Sequence, residues 1–185
     1  YYIRKKIMLE KKNIIENVKT LIYALIIALI IRSLLIQPFY IPSSSMEPTL
    51  LIGDRIFVSK YDYGYSKHSF PFSPNVSAKR IFYNTPSIGD LVVFKTPADN
   101  RTDYIKRLIG LPGDEIRFID SNLYLNNSEI IKSKISSSDV IFCGKKKIDV
   151  FTFEELLPNN KKYISVYLKN FSFQNSDTFI VPDNH

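Results

Sequence analysis

A chain of 185 residues with 45% hydrophobic side chains has room for one apolar anchor and one modest folded domain, which excludes a disordered tail. A single cysteine, Cys143, excludes an intramolecular disulfide, and no Cys/His spacing suggests a zinc site, so neither metal nor cofactor is expected. The net charge of +7 admits a nucleic-acid partner, but its placement argues against one: Arg4, Lys5, Lys6, Lys11, Lys12 and Lys19 stand against only Glu10 and Glu16, directly ahead of an apolar run.

That run is apolar at every position from Leu21 to Ile31 and resumes after Arg32 and Ser33 as Leu34, Leu35 and Ile36. At ~1.5 Å per residue it covers about 24 Å, and Val18, Thr20 and the snorkelling side chains of Lys19 and Arg32 extend it toward the ~30 Å of a bilayer core. The spacing predicts a transmembrane helix over residues 20–36, with residues 1–19 as its basic cytoplasmic flank. A cleaved secretory signal is the competing reading; no Ala-x-Ala-like site follows, and the chain stays apolar through Phe39, Tyr40 and Ile41. Either way the residues after Pro38 are expected outside the cytoplasm.

The exported part reads as mainly β. Strands are predicted over 55–61, 90–95, 104–109, 115–119, 123–126, 140–143 and 163–173, with a hairpin turn at Asp120-Ser121-Asn122. Gly53-Asp54, Gly89-Asp90 and Gly113-Asp114 read as turns in which glycine takes a positive φ and aspartate bonds nearby amides. The Lys145-Lys146-Lys147 run reads as a solvated turn. The aromatic groups Phe70-Pro71-Phe72 and Ile81-Phe82-Tyr83 read as core packing, with a membrane-dipping surface as the alternative. The Ser/Lys/Asn-rich stretch from Asn126 marks a change of tone, giving an expected order of a first catalytic β segment (37–119), an inserted β-rich subdomain (120–178) and a return strand (179–185).

Directly after the anchor stands Ile41-Pro-Ser-Ser-Ser-Met-Glu-Pro-Thr-Leu50, a serine cluster fenced by prolines: a rigid, exposed turn carrying hydroxyls. Alone it is equally a Ser/Pro linker. It resembles the nucleophile box of bacterial type I signal peptidases, I-P-S-x-S-M-x-P-T-L. Tyr104-Ile-Lys-Arg-Leu-Ile-Gly-Leu-Pro-Gly-Asp114 resembles the second box of that family, and Gly89-Asp-Leu-Val-Val-Phe94 a third, all in the family's order behind the anchor.

The resemblance implies a membrane-anchored serine endopeptidase with a signal-peptidase-type β domain, Ser45 as nucleophile and Lys106 as general base. A serine hydroxyl needs a base to take its proton. His68 lies in a polar loop and His185 is the last residue, so a histidine base is unpersuasive. A lysine serves when its amine is neutral, which takes a lowering of roughly three units from ~10.4. Tyr104, Ile105 and Leu108 are the neighbours that could supply the desolvation, while Arg107 should point the other way along the strand. By the same resemblance the Ser45 N–H and the Ser43 hydroxyl hold the oxyanion, and Ile41, Pro42, Met46, Leu50, Tyr104 and Ile105 wall two shallow apolar substrate pockets suited to small side chains. The implied partners are signal-peptide-bearing preproteins and membrane lipid, and the implied location is the bacterial plasma membrane, catalytic domain outside. Ser45 follows Ile36 by nine residues, so at ~3.5 Å per residue it stays within about 32 Å of the bilayer.

Two departures stand out. Ser44 replaces the glycine usual between the two box serines, and the family's last box, G-D-N-R, is absent although Phe179-Ile-Val-Pro-Asp-Asn-His185 resembles the strand leading to it. The expectation is therefore a piece of a longer protein. A non-catalytic anchored scaffold with the same fold is the alternative; a self-cleaving repressor, which also uses a Ser-Lys pair, is disfavoured by the anchor and the lack of a helix-turn-helix.

Overall fold

The computed structural model describes residues 2–70, 80–143, 146–169 and 175–183. An N-terminal helix, α1 (Tyr2–Ile30), is followed by β strands as the main regular structure. The chain divides into two compact units: Tyr1–Phe39 with Phe57–Thr85, and Tyr40–Ile56 with Pro86–His185.

In the first unit α1 runs on into one wider turn, Ile31–Leu35, closed by the Ile36 N–H donating to the Ile31 carbonyl. The stretch Lys11–Leu35 has mean hydropathy 2.1 and is long and apolar enough to cross a membrane; at ~1.5 Å per residue it measures roughly 38 Å. Side chains 11–32 are exposed all round, the pattern of a helix made for apolar surroundings rather than for one buried face. Helix ends leave carbonyls without intrahelical donors. Here the Lys60 N–H bonds the Leu35 carbonyl at 2.9 Å and the Tyr65 hydroxyl bonds that of Leu34 at 2.8 Å.

Strands β1 (Ile36–Tyr40) and β2 (Arg55–Ser59) pair as a two-stranded sheet and carry the chain from one unit to the other and back. Beyond β2, Tyr65 and Ile81 exchange two backbone bonds of 2.9 Å. Gly64, at φ +78°, sits so close to the Ile81 and Phe82 carbonyls that an added Cβ would lie 2.4 Å from the latter oxygen. The core reading fails for this segment: Ile81, Phe82 and Tyr83 are 45%, 80% and 60% exposed. The Ile81 main chain is held by Tyr65, and the Phe82 and Tyr83 side chains lie on the outside. Pro71 and Phe72 lie outside the described residues.

In the second unit β3 (Leu91–Lys95) and β4 (Asp103–Arg107) form an antiparallel pair with Val92 opposite Lys106. Lys95 and Asp103 close it at the far end with a 2.9 Å ion pair. In the connecting loop the Asp99 carboxyl is pushed down to about 2, chiefly by the Thr102 hydroxyl and then by the Arg101 and Thr102 amides. Strands β5 (Glu115–Ile119), β6 (Asn122–Leu125) and β7 (Ser128–Glu129) form a meander, with β11 (Phe179–Ile180) against the outer side of β5. Its two tight turns place Asp120-Ser121 and Asn126-Asn127 at positive φ, the two-residue turn geometry that matches strand twist. The remaining sheet has order β10-β9-β8, from β8 (Ile131–Cys143), β9 (Lys146–Leu156) and β10 (Lys162–Leu168). Lys146 and Lys147 are solvated as expected, but as the start of β9 rather than as a turn; Lys145 lies outside the described residues. Leu123, Leu125, Ile130 and Leu157 form the core between these layers, flanked by Ile88, Ile109, Ile116, Phe118 and Tyr163.

The three Gly-Asp pairs build one turn three times. Gly53, Gly89 and Gly113 have φ of +100°, +90° and +89°. In each, the aspartate N–H bonds the carbonyl three residues back, and its carboxylate accepts from that residue's N–H: Asp54 with Leu51, Asp90 with Ser87, Asp114 with Leu111.

Candidate active site

Ser45 sits in a single helical turn, Ser44–Met46, between two extended segments. The Glu47 N–H bonds the Ser44 carbonyl and the Leu50 N–H that of Met46, so one short coil carries Ser45 to Leu50. Its base is pinned where Ile41 exchanges backbone bonds with Asp54 and Gly53 at 3.0 and 2.9 Å. The prolines restrict the remaining freedom, and the Glu47–Pro48 peptide is cis.

Lys106, next to last in β4, reaches this turn: its Nζ donates a hydrogen bond to Ser45 Oγ across 61 residues of sequence. Ser43 Oγ stands 3.4 Å from Ser45 Oγ. Ser43 and Ser45 from one motif and Lys106 from another thus meet within one unit. Lys106 remains half-buried, because Tyr104, 5.9 Å away at its ring centroid, is itself 48% exposed. The Tyr104 ring therefore covers the amine only in part.

The expected pocket walls separate into two kinds. Ile41 and Met46 are buried, 2% and 8% exposed, and support the turn from beneath. Pro42 and Tyr104 are exposed, with Leu50 and Ile105 between. None of the six lines the cavity of about 340 Å³ found between Ile109, Phe118, Leu123 and Tyr163. Among the described residues no group of three or more His, Cys, Asp or Glu side chains converges as metal ligands. His68 lies in a separate turn, Lys67–Ser69, in the other unit; His185 lies outside the described residues.

Neighbours that the motifs did not single out complete the site. Arg107 departs from Lys106 as strand alternation demands and stacks on the Tyr163 ring at 4.7 Å. Its guanidinium also donates to the Gly89 carbonyl at 2.9 Å and to Thr49 Oγ1 at 3.2 Å, four residues beyond the nucleophile candidate. Burial lowers its pKa, a shift opposed by Tyr163. Thr49 belongs to the serine box and was within reach of motif reasoning; Tyr163 is brought in by tertiary packing and has no local signal.

The family model described as signal peptidase, peptidase S26, matches residues 14–185. The chain belongs to this family. Its signal peptidase relatives include one described as signal peptidase I from Rickettsia bellii strain OSU 85-389, 39% identical over 181 residues, covering 93% of this chain and 61% of the relative. Proteins of the same description from Rickettsia typhi (38% over 182 residues, 93% and 67%) and Rickettsia massiliae (40% over 172 residues, 88% and 63%) match similarly. The chain thus spans about three-fifths of the length of the first of these signal peptidases.

Proposed function

We propose that the whole protein is a membrane-anchored serine endopeptidase that removes N-terminal signal peptides from exported preproteins, with Ser45 as nucleophile and Lys106 as general base. The observation that carries this reading is the hydrogen bond between Lys106 Nζ and Ser45 Oγ in a member of the signal peptidase family. The Lys11–Leu35 helix and its basic flank support anchoring in the plasma membrane with the catalytic unit outside. The partners in this reading are preproteins and lipid.

In the reacting state the amine is neutral and the bond runs the other way, Ser45 Oγ–H donating to Nζ. Oγ attacks the carbonyl carbon of the scissile bond, its proton passes to Nζ, and the carbonyl oxygen becomes an oxyanion. The Ser45 N–H and the Ser43 hydroxyl stabilise that charge. Collapse breaks the C–N bond, Nζ returns its proton to the leaving amine, and an acyl-Ser45 remains. Water then attacks the ester, gives a proton to Nζ, and the second collapse restores Ser45 with that proton. Shallow apolar walls around the turn favour small residues next to the cut bond.

Processing of a preprotein with an Ala-x-Ala site by the whole membrane protein tests the reading. Ser45→Ala is expected to lower kcat by at least about a thousandfold with insertion intact, as loss of a nucleophile does. Ser43→Ala is expected to cost roughly a hundredfold, the scale of one oxyanion donor. Parental cleavage by Ser45→Ala would remove Ser45 from the mechanism.

A further inference from the structure

The Ser45 turn and the Lys106 strand are joined by more than their reacting atoms. Thr49 Oγ1 on the turn and the Gly89 carbonyl beside β3 are both held by the one guanidinium of Arg107. A planar fork with fixed donors sets distance and angle together, which a flexible ammonium does not. The far side of that guanidinium is fixed too. It lies on the ring of Tyr163 in β10, and the Tyr163 hydroxyl donates to Glu155 in β9, a carboxylate only 2% exposed. Ser165 at 2.6 Å and Tyr167 at 2.8 Å donate to the other Glu155 oxygen, so the ring that backs Arg107 is anchored in a saturated cluster.

The same sheet grips the Gly89 side of the fork. Asn159, in the β9–β10 loop, donates to the Ile88 carbonyl at 2.7 Å, and Lys161 pairs with Asp90 at 2.5 Å. Gly89 approaches Leu157 so closely that a Cβ would lie 2.9 Å from its Cδ1. Strand β8 also runs beside the turn that carries Ser45.

We infer that Arg107 is a positioning residue that, backed by Tyr163 and Glu155 of the β8–β10 sheet, holds the Ser45 turn through Thr49 at the distance Lys106 requires. This rests on the reading of Ser45 and Lys106 given above. It also assigns a role to the β8–β10 sheet, that of bracing the reacting pair.

Steady-state cleavage of a preprotein by the whole membrane protein, with folding followed by thermal unfolding, tests the inference. A displacement of the nucleophile by about 1 Å costs on the order of a hundredfold in rate. Arg107→Lys and Tyr163→Leu are each expected to lower kcat by roughly ten- to a hundredfold with KM within about twofold, since substrate contacts are untouched. Thr49→Val is expected to do the same, and Thr49→Ser, which keeps the hydroxyl, to restore most of the rate. The Arg107→Lys/Thr49→Val double variant is expected to be no slower than Arg107→Lys alone, because both remove one link. Parental kcat in Arg107→Lys, multiplied losses in the double variant, or failure of Thr49→Ser to outperform Thr49→Val in a folded protein overturns the inference. Ser45→Ala is assayed alongside: if it is inactive while Arg107→Lys is fully active, the brace alone fails; if it cleaves normally, the functional reading fails with it.

Discussion

Two groups of polar side chains in the second unit follow opposite rules. Glu155 is buried and each of its oxygens is occupied, by the hydroxyls of Tyr163, Ser165 and Tyr167. Ser43 and Ser45 are exposed, Lys106 is half-buried, and they meet through one hydrogen bond and a 3.4 Å approach. A buried carboxylate without partners would be heavily penalised, so saturation is the condition for its being there. Reacting groups need the reverse, since a hydroxyl already committed to several partners has no lone pair or proton to offer a substrate. Arg107 lies between the two groups, stacked on one and bonded to the turn of the other.

The largest way to break the Glu155 side of this contrast is Glu155→Ala. It strands three hydroxyls beneath the sheet, each left without its acceptor at about 1–3 kcal/mol. The expected loss of stability is about 3 kcal/mol or more, read by urea denaturation. A loss below about 1 kcal/mol would show that water replaces the carboxylate easily and that the cluster is not a rigid anchor.

A smaller effect sharpens the same point. Burial raises the Tyr163 pKa most, followed by its hydrogen bond to Glu155 and the charge of Glu155; for Tyr167 burial again leads, then the Glu155 charge and hydrogen bond. Both hydroxyls therefore remain donors above the usual ~10. Because the folded values lie above the unfolded one, their contribution is complete below about pH 10 and is lost as pH rises through the folded values. Ultraviolet titration is expected to find at least two of the 12 tyrosines resisting ionisation until the protein unfolds. Ionisation of every tyrosine near pH 10 in the folded protein would contradict a closed cluster.

How much of this was legible in the chain depends on how local each cause is. The Gly-Asp turns were readable because glycine's freedom and aspartate's reach act within four residues, and the structure repeats them three times. The hairpin at Asp120-Ser121 was readable for the same reason. Its neighbour at Asn126-Asn127 was missed, although two asparagines at positive φ are a strong turn signal. Strands β8 and β9 were harder. Residues 131–139 are rich in serine and lysine and join a strand through the long pairing with β9 rather than by their own propensity. In β9, Val150 and Thr152 are buried on one face and Glu155 on the other, so no clean alternation survives. Ser43, Ser45 and Lys106 were found through motifs; their meeting, and the brace through Arg107, come from pairing Val92 with Lys106 and from packing on Tyr163.

The central claim is that Lys106 accepts the Ser45 proton, and Lys106→Arg tests it most directly. Arginine keeps the charge and much of the length but stays protonated at any working pH. Rates of preprotein cleavage by the parent and by Lys106→Arg, measured across pH in membranes containing the whole protein, give the answer. The account predicts that the parent cleaves while the arginine variant, folded and inserted, is inactive throughout. An arginine variant that cleaves at a rate near the parent's, or one that follows the same pH profile, would contradict it.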